Sequence, residues 1–194
     1  RGINSVLSGP AGGVVGLAIG WQAARRGLSV TVLDPAPGTG ASHVAAGMLA
    51  PVTEVGYTEQ ALLRLTMAGA QRYPSFVAEL AEAAGMDPGY RACGTLAVAM
   101  DASDAAALDE LFAFQRELGL PVQQLTGRAC RELEPMIAPG VAGGLLVPGD
   151  HQIDNRRLVA ALLTALTATA GARLLRELAA GLLVDGDRAA GVIR

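Results

Sequence analysis

The chain has 194 residues, 51% hydrophobic and 17% charged, a balance typical of a folded α/β protein with a sizeable core and not of a disordered chain. The formal net charge of −3 and the scattered arginines argue against a nucleic-acid partner. All 15 basic residues are Arg, so this sequence offers neither a P-loop lysine nor a Schiff-base lysine for pyridoxal phosphate.

The first predicted elements are a strand and a glycine turn. Ser5–Leu7 is a short apolar strand, which Pro10 weakens because proline cannot donate to a sheet ladder. The turn that follows has Gly13 and Gly16 at the second and third glycine positions of a dinucleotide-binding fingerprint, with Ala11 at the first. The pattern is typical of a phosphate-binding turn and equally of a plain glycine-rich turn.

A helix and a second strand follow the turn. Apolar residues recur at helical spacing from Val14, Gly27 ends the helix, and Ser29–Leu33 is a β-branched strand that ends at Asp34. An acid about 20 residues beyond such a turn can accept hydrogen bonds from ribose hydroxyls and would repel a 2′-phosphate, so FAD or NAD is favoured over NADP. The alternative is that Asp34 caps a turn before Pro35.

The run from Gly38 to Pro51 consists largely of very small side chains. Such a run allows backbone to lie against a large flat group such as an isoalloxazine ring, and it is equally consistent with an alanine-rich helix start packed on the sheet. The residues alone leave both interpretations open.

The rest of the chain alternates helices and strands. The periodicity predicts helices over 58–84 (with Pro74 as a kink or a new start), 103–118, 126–135 and about 155–169, and strands over 94–99, 143–147, 173–177, 181–185 and 191–194. Asp154 or Asn155 is the expected cap of the last helix. His151 beside Asp150 is predicted to be a structural hydrogen-bonding residue.

No metal site or membrane span is predicted. Cys93 and Cys130 are far apart, His43 and His151 are isolated, and both cysteines are expected to be core residues in a reducing compartment. The apolar runs are shorter than the roughly 20 residues that a membrane span needs, and there is no signal segment, which favours a cytoplasmic protein without a membrane partner.

Three stretches together resemble a known family. Gly13-Val-Val-Gly16 with Val-Leu-Asp34-Pro, Ala41-Ser-His-Val-Ala-Ala-Gly-Met-Leu-Ala-Pro51, and Gly149-Asp-His-Gln-Ile-Asp-Asn-Arg-Arg-Leu158 are similar to the flavin-binding amino-acid oxidases, specifically the glycine oxidase branch that serves thiamine biosynthesis. Leu133-Glu-Pro and Gly143–Pro148 agree with it. The resemblance runs from about residue 12 to the end of the chain.

The resemblance implies an α/β fold, with a Rossmann-like FAD-binding domain interleaved with part of an α+β substrate domain. Residues 1–56 and 151–194 are expected to bind FAD, and residues 57–150 to form the partial substrate domain. The implied cofactor contacts are Gly13, Val14, Val15, Gly16, Asp34, Pro35, Ala41, Ser42, Ala46, Gly47, Met48 and Ala179. No catalytic residue and no metal ligand is assigned in this stretch.

The implied partners are a small amino-acid substrate and molecular oxygen, in a full-length protein that can form a homo-oligomer. Relatives of this kind are about twice as long and carry their substrate machinery beyond the point that corresponds to residue 194. The function expected first is glycine oxidation with release of hydrogen peroxide. The alternatives are another D-amino-acid or sarcosine-type flavin enzyme, and an inactive fragment of one, which Pro10 and Ala11 favour.

Overall fold

The computed structural model describes the backbone of residues 5–7 and residues 14–194, so Ala11 and Gly13 of the predicted turn lie outside the described residues. The helices are α1 Val14–Arg25, α2 Ala41–Val44, α3 Gln60–Ala84, α4 Ala102–Glu117, α5 Gly127–Leu133 and α6 Asn155–Ala168. The strands are β1 Ser5–Leu7, β2 Val30–Leu33, β3 Met48–Leu49, β4 Tyr90–Arg91, β5 Thr95–Ala99, β6 Gln123–Thr126, β7 Gly143–Val147, β8 His151–Ile153, β9 Ala172–Leu175, β10 Gly181–Asp185 and β11 Arg188–Ile193.

The chain divides into two interleaved compact units. The first unit comprises residues 1–47, 75–89 and 154–194, and the second comprises residues 48–74 and 90–153. The domain boundaries expected from the resemblance, after residues 56 and 150, stay a prediction. The α3 helix contributes its part up to Pro74 to the second unit and its part from Ser75 to the first.

The first unit is built on a parallel sheet in the order β1-β2-β9. Val6 pairs with Thr31, and Val32 pairs with Leu174, so the three strands place their carboxyl ends at one edge. The α1 and α6 helices pack together beside it, and Trp21 of α1 and Leu162 of α6 are fully buried. The β-branched β2 and the amphipathic α1 confirm the predicted strand, helix and strand.

A separate antiparallel hairpin, β10–β11, completes the described part of the first unit. Its turn contains Gly186, whose φ of +61° is readily adopted only by glycine. The predicted turn through Asp185-Gly-Asp187 is confirmed, and the second strand begins at Arg188, three residues earlier than expected.

The second unit contains two antiparallel three-stranded sheets, β3-β8-β4 and β5-β7-β6. The apolar faces of α4 and β7 share one core, in which Leu145 and Val147 are buried and Leu108, Leu111 and Phe112 are packed against them. The strands β3, β4, β6 and β8 were not predicted, because two to four residues are too few to show an alternating pattern.

The α3 helix is continuous over 25 residues and includes Pro74. Proline removes one backbone donor from a helix, yet α3 continues through Pro74, and Val77 and Leu80 after it are buried. Gly85, with a φ of +63°, follows the end of the helix. Among residues 14–194 no helix has the length and hydropathy that a membrane crossing requires.

Candidate functional site

The first turn of α1 presents unpaired backbone donors. Val14, Val15 and Gly16 open the helix, and the first N–H groups of any α-helix have no partner within the helix. No acidic side chain occupies this turn, so nothing there opposes the attraction of the helix dipole for an anion. Gly16 is buried. The geometry suits a phosphate group, while Gly13 lies outside the described residues.

Asp34 lies at the carboxyl edge of the same sheet. Its N–H donates to the Leu175 carbonyl at 3.0 Å, which anchors it between the ends of β2 and β9. Its Oδ1 accepts from the Ala36 N–H at 2.9 Å, as the turn-capping alternative requires. Its Oδ2 accepts no hydrogen bond from the described residues. This second oxygen is therefore available to a ribose hydroxyl, so the turn-capping bond does not exclude the ribose role. Pro35 is exposed beside it.

The small-residue segment forms a single helical turn and then an extended stretch. Ala41 and Ser42 begin α2, and residues 45–47 follow it, with Gly47 at a φ of +79°. Ala41 and Ala46 are exposed and Ser42 is half-buried, so the segment presents mostly backbone and methyl groups at the surface. A helix does start at Ala41, as one sequence interpretation expects. The small residues also leave the backbone accessible, as the interpretation with a flat ligand expects.

Two side chains that the sequence analysis did not assign to the site hold this segment in place. Asn155 Nδ2 donates to the Ala45 carbonyl at 2.9 Å, and Arg156 Nε donates to the His43 carbonyl at 3.2 Å. The cap of α6 is Asp154, whose carboxylate accepts from the N–H groups of the next two arginines. Asn155 is thus free to contact the segment. The only sequence signal was its place in Gly149–Leu158, one of the stretches that carry the resemblance.

The loop between Asp34 and α2 is also fitted against α6. Gly38 has a φ of +80°, and a Cβ placed there would overlap Cγ1 of Val159. Only glycine satisfies both conditions, because any other residue would combine backbone strain with a steric clash. This contact holds the loop that follows Asp34 against α6.

The remaining predicted contacts lie at two further places. Met48 begins β3 in the second unit, pairs with Gln152, and its side chain is half-exposed. Ala179 is half-buried in the stretch between β9 and β10, beside Ala180, whose N–H donates to the Ile193 carbonyl at 2.8 Å. The stretch therefore leaves the same sheet edge that carries Asp34.

Cys93 and His151 differ from expectation, whereas Cys130 does not. Cys130 is buried, as predicted, and burial raises the pKa of its thiol. Cys93 is exposed, so its predicted core position is wrong; it follows the two-residue β4 in a surface connection. The His151 imidazole makes no hydrogen bond to the described residues and instead packs edge-on against Tyr90 at 5.7 Å. Its predicted hydrogen-bonding role is therefore wrong.

The hydrogen-bonding residue of that motif is Asp150. Its carboxylate is fully buried and accepts from the Val52 N–H at 3.2 Å and the Thr53 N–H at 2.6 Å. Gln115, also fully buried, donates to the Val52 carbonyl at 2.8 Å. Together the two side chains fix the turn after β3. Among the described residues no group of His, Cys, Asp and Glu is arranged to hold a metal ion.

Residues 12–194 match the family model DAO, described as FAD dependent oxidoreductase. The chain belongs to this family. The match spans both units and includes every cofactor contact proposed from the resemblance. The FAD prediction is thereby confirmed, and the α1 turn, the unshared Asp34 oxygen and the small-residue segment are groups suited to a dinucleotide.

Individual relatives point to one branch of the family. Glycine oxidase from Geobacillus kaustophilus is 38% identical over 165 residues, covering 84% of this chain and 43% of that protein. The bifunctional protein ThiO/ThiG of Trichormus variabilis is 33% identical over 176 residues, covering 90% of this chain and 26% of that protein.

Solved structures show the same fold. The crystal structure of the Geobacillus glycine oxidase superposes with a TM-score of 0.84 at 34% identity, covering 93% of this chain and 48% of that one. Glycine oxidase from Bacillus cereus gives a TM-score of 0.87 at 24% identity, which bears on the fold alone. The chain spans about half the length of the glycine oxidases it matches, 43% and 48% in the two Geobacillus comparisons.

Proposed function

We propose that this chain is the FAD-binding portion of an oxidase that converts glycine or a related small amine to its imine, which hydrolyses to glyoxylate, with release of hydrogen peroxide. The product would serve thiazole formation in thiamine biosynthesis. The observation that carries the proposal is the 38% identity to glycine oxidase over 84% of the chain. The proposal includes a cytoplasmic location and a homo-oligomeric full-length protein.

The residues of this chain would bind and orient the cofactor. Backbone donors of residues 13–16 would hold the pyrophosphate, Oδ2 of Asp34 would accept from a ribose hydroxyl, and Ala179 would lie near the adenine end. Ala41, Ser42, Ala46, Gly47 and Met48 would lie along the flavin. When bound, FAD would supply the group that accepts a hydride from the α-carbon of the amine, with oxygen as the final electron acceptor. We assign no catalytic residue within this chain.

The direct test is titration of the purified chain with FAD, followed by flavin fluorescence or calorimetry. We expect Asp34→Ala to weaken FAD binding by about 10-fold or more, since a hydrogen bond to a charged group contributes about 1.5–3 kcal/mol. Asp185→Ala is the matched control, because that aspartate lies exposed in the β10–β11 hairpin. Unchanged affinity in Asp34→Ala would remove the ribose role, and a chain that takes up no FAD would contradict the proposal for this fragment.

A second candidate is oxidation of a secondary amine. The 4-methylaminobutanoate oxidase of Paenarthrobacter nicotinovorans is 30% identical over 200 residues, covering 98% of this chain. Peroxide formation by the full-length protein with glycine, sarcosine and D-alanine separates the candidates. The highest kcat/KM with glycine supports the first, and a clear preference for an N-alkylated amine supports the second.

A further inference from the structure

The first turn of α6 donates two hydrogen bonds to the end of α2. Asn155 Nδ2 donates to the Ala45 carbonyl at 2.9 Å, and Arg156 Nε donates to the His43 carbonyl at 3.2 Å. The α2 helix has only four residues, and the carbonyls at the end of a helix have no partner within it. The two side chains therefore satisfy carbonyls that α2 leaves unpaired, across 110 and 113 positions of sequence.

The hydrogen bond from Asn155 also sets the direction of the next backbone N–H group. The carbonyl of one residue and the N–H of the following residue share a planar peptide unit, and in the trans form they point to opposite sides of the chain. Among the described residues no peptide bond is cis. Because the Ala45 carbonyl faces Asn155, the Ala46 N–H points away from Asn155.

The Ala46 N–H is available to a ligand. The preceding N–H, that of Ala45, still donates to the Ala41 carbonyl at 3.0 Å and closes α2. The Ala46 N–H, in contrast, donates to no acceptor in the part of the chain that the structure describes, and Ala46 is exposed. A donor whose direction is set in advance loses less conformational freedom when it binds an acceptor.

The helix that carries these two side chains is itself held in place. Asp154 caps it by accepting from the N–H groups of Arg156 and Arg157 at 3.0 and 3.1 Å. Arg157 in turn donates to the carbonyl of Asp87 at 3.2 Å and to its carboxylate at 2.9 Å. Leu158 follows in the buried core. Side chains on a packed helix hold their partners more precisely than side chains on a loop.

We propose that Asn155 is a positioning residue for the flavin, supported by Arg156: Asn155 holds the Ala45 carbonyl so that the Ala46 N–H is presented to an acceptor atom of bound FAD. This inference rests on the proposed function, in which the small-residue segment lies along the flavin. Neither side chain needs to touch the cofactor, because both act through the backbone. Arg156 differs from its neighbour Arg157 in that it forms no ion pair with a described carboxylate.

The test combines FAD titration of the purified chain with amide hydrogen exchange followed by NMR. In the unaltered chain, saturating FAD should slow exchange of the Ala46 amide about tenfold or more. Asn155→Ala removes the donor without adding charge, and Asn155→Asp replaces it with an acceptor of the same shape. Both variants should bind FAD about tenfold more weakly, and saturating FAD should slow exchange of the Ala46 amide by less than about threefold.

Two adjacent arginines provide a matched control. Arg156→Gln and Arg157→Gln remove the same charge from the same helical turn, but only Arg156 contacts the small-residue segment. Arg156→Gln should weaken FAD binding about threefold or more, whereas Arg157→Gln should stay within about twofold of the unaltered chain although it loses the ion pair with Asp87. Urea unfolding of the FAD-free variants measures their stability separately from their affinity.

Unchanged FAD affinity in both Asn155 variants, or full protection of the Ala46 amide in them, would overturn the proposal and leave the oxidase function standing. Equal losses of affinity in Arg156→Gln and Arg157→Gln would also overturn it, since the effect would then be one of charge or of helix stability. A chain that binds no FAD at all contradicts the proposed function, and the positioning role falls with it.

Discussion

Removal of the Asp150 carboxylate tests a buried polar contact in the second unit. Asp150→Ala leaves the Val52 and Thr53 N–H groups without their acceptor, in a place where water does not reach the carboxylate position. An unsatisfied buried donor costs about 1–3 kcal/mol. Val52 is buried and Thr53 only partly so, which places the expected loss at about 2–4 kcal/mol in the free energy of unfolding.

Urea unfolding followed by far-UV circular dichroism measures this loss, and amide hydrogen exchange at residues 52 and 53 locates it. Both amides should lose protection in Asp150→Ala. The single tryptophan, Trp21, belongs to the first unit, so its emission gives a separate report on that unit. Asp185→Ala, in the exposed hairpin, should change stability by less than about 0.5 kcal/mol. An equally small change in Asp150→Ala, or retained protection at residues 52 and 53, would refute the reasoning.

Two further predictions concern a glycine and a tyrosine. Gly38→Ala should destabilise the chain by about 1–3 kcal/mol more than Gly27→Ala, measured by thermal or urea unfolding. Both glycines have positive φ (+80° and +83°), but only Gly38 faces Val159. Equal losses in the two variants would show that backbone strain alone causes the destabilisation. The pKa of Tyr73 is raised from 10.0 to about 12, mainly by burial. The folded state then holds this proton more tightly, so stability should fall as the pH rises above 10 towards 12, and Tyr73→Phe should remove that part of the slope in urea unfolding at pH 9.5–11.5; an identical slope in the variant would contradict the pKa shift.

The elements that the sequence predicted correctly are those with a long or strongly periodic pattern. The α1 helix, with Gly27 beyond its end, and the α6 helix both match expectation, because an apolar face repeats over three or more turns. The two-residue strands β3 and β4 could not be predicted. They exist because β8, about 60 to 100 residues further along the chain, supplies their hydrogen-bond partners.

The candidate site likewise has features that the sequence predicted and features that it could not predict. The sequence alone determined the order of strand β1, helix α1 and strand β2 and the place of Asp34 after β2, because these follow from neighbouring residues within about 30 positions. Only the tertiary structure decided how Ala45 is held by Asn155, 110 residues away. It also decided that Asp150, and not His151, carries the buried hydrogen bonds. Local pattern specifies which backbone conformation a segment adopts, whereas the partner of a buried polar group depends on which distant segment packs against it.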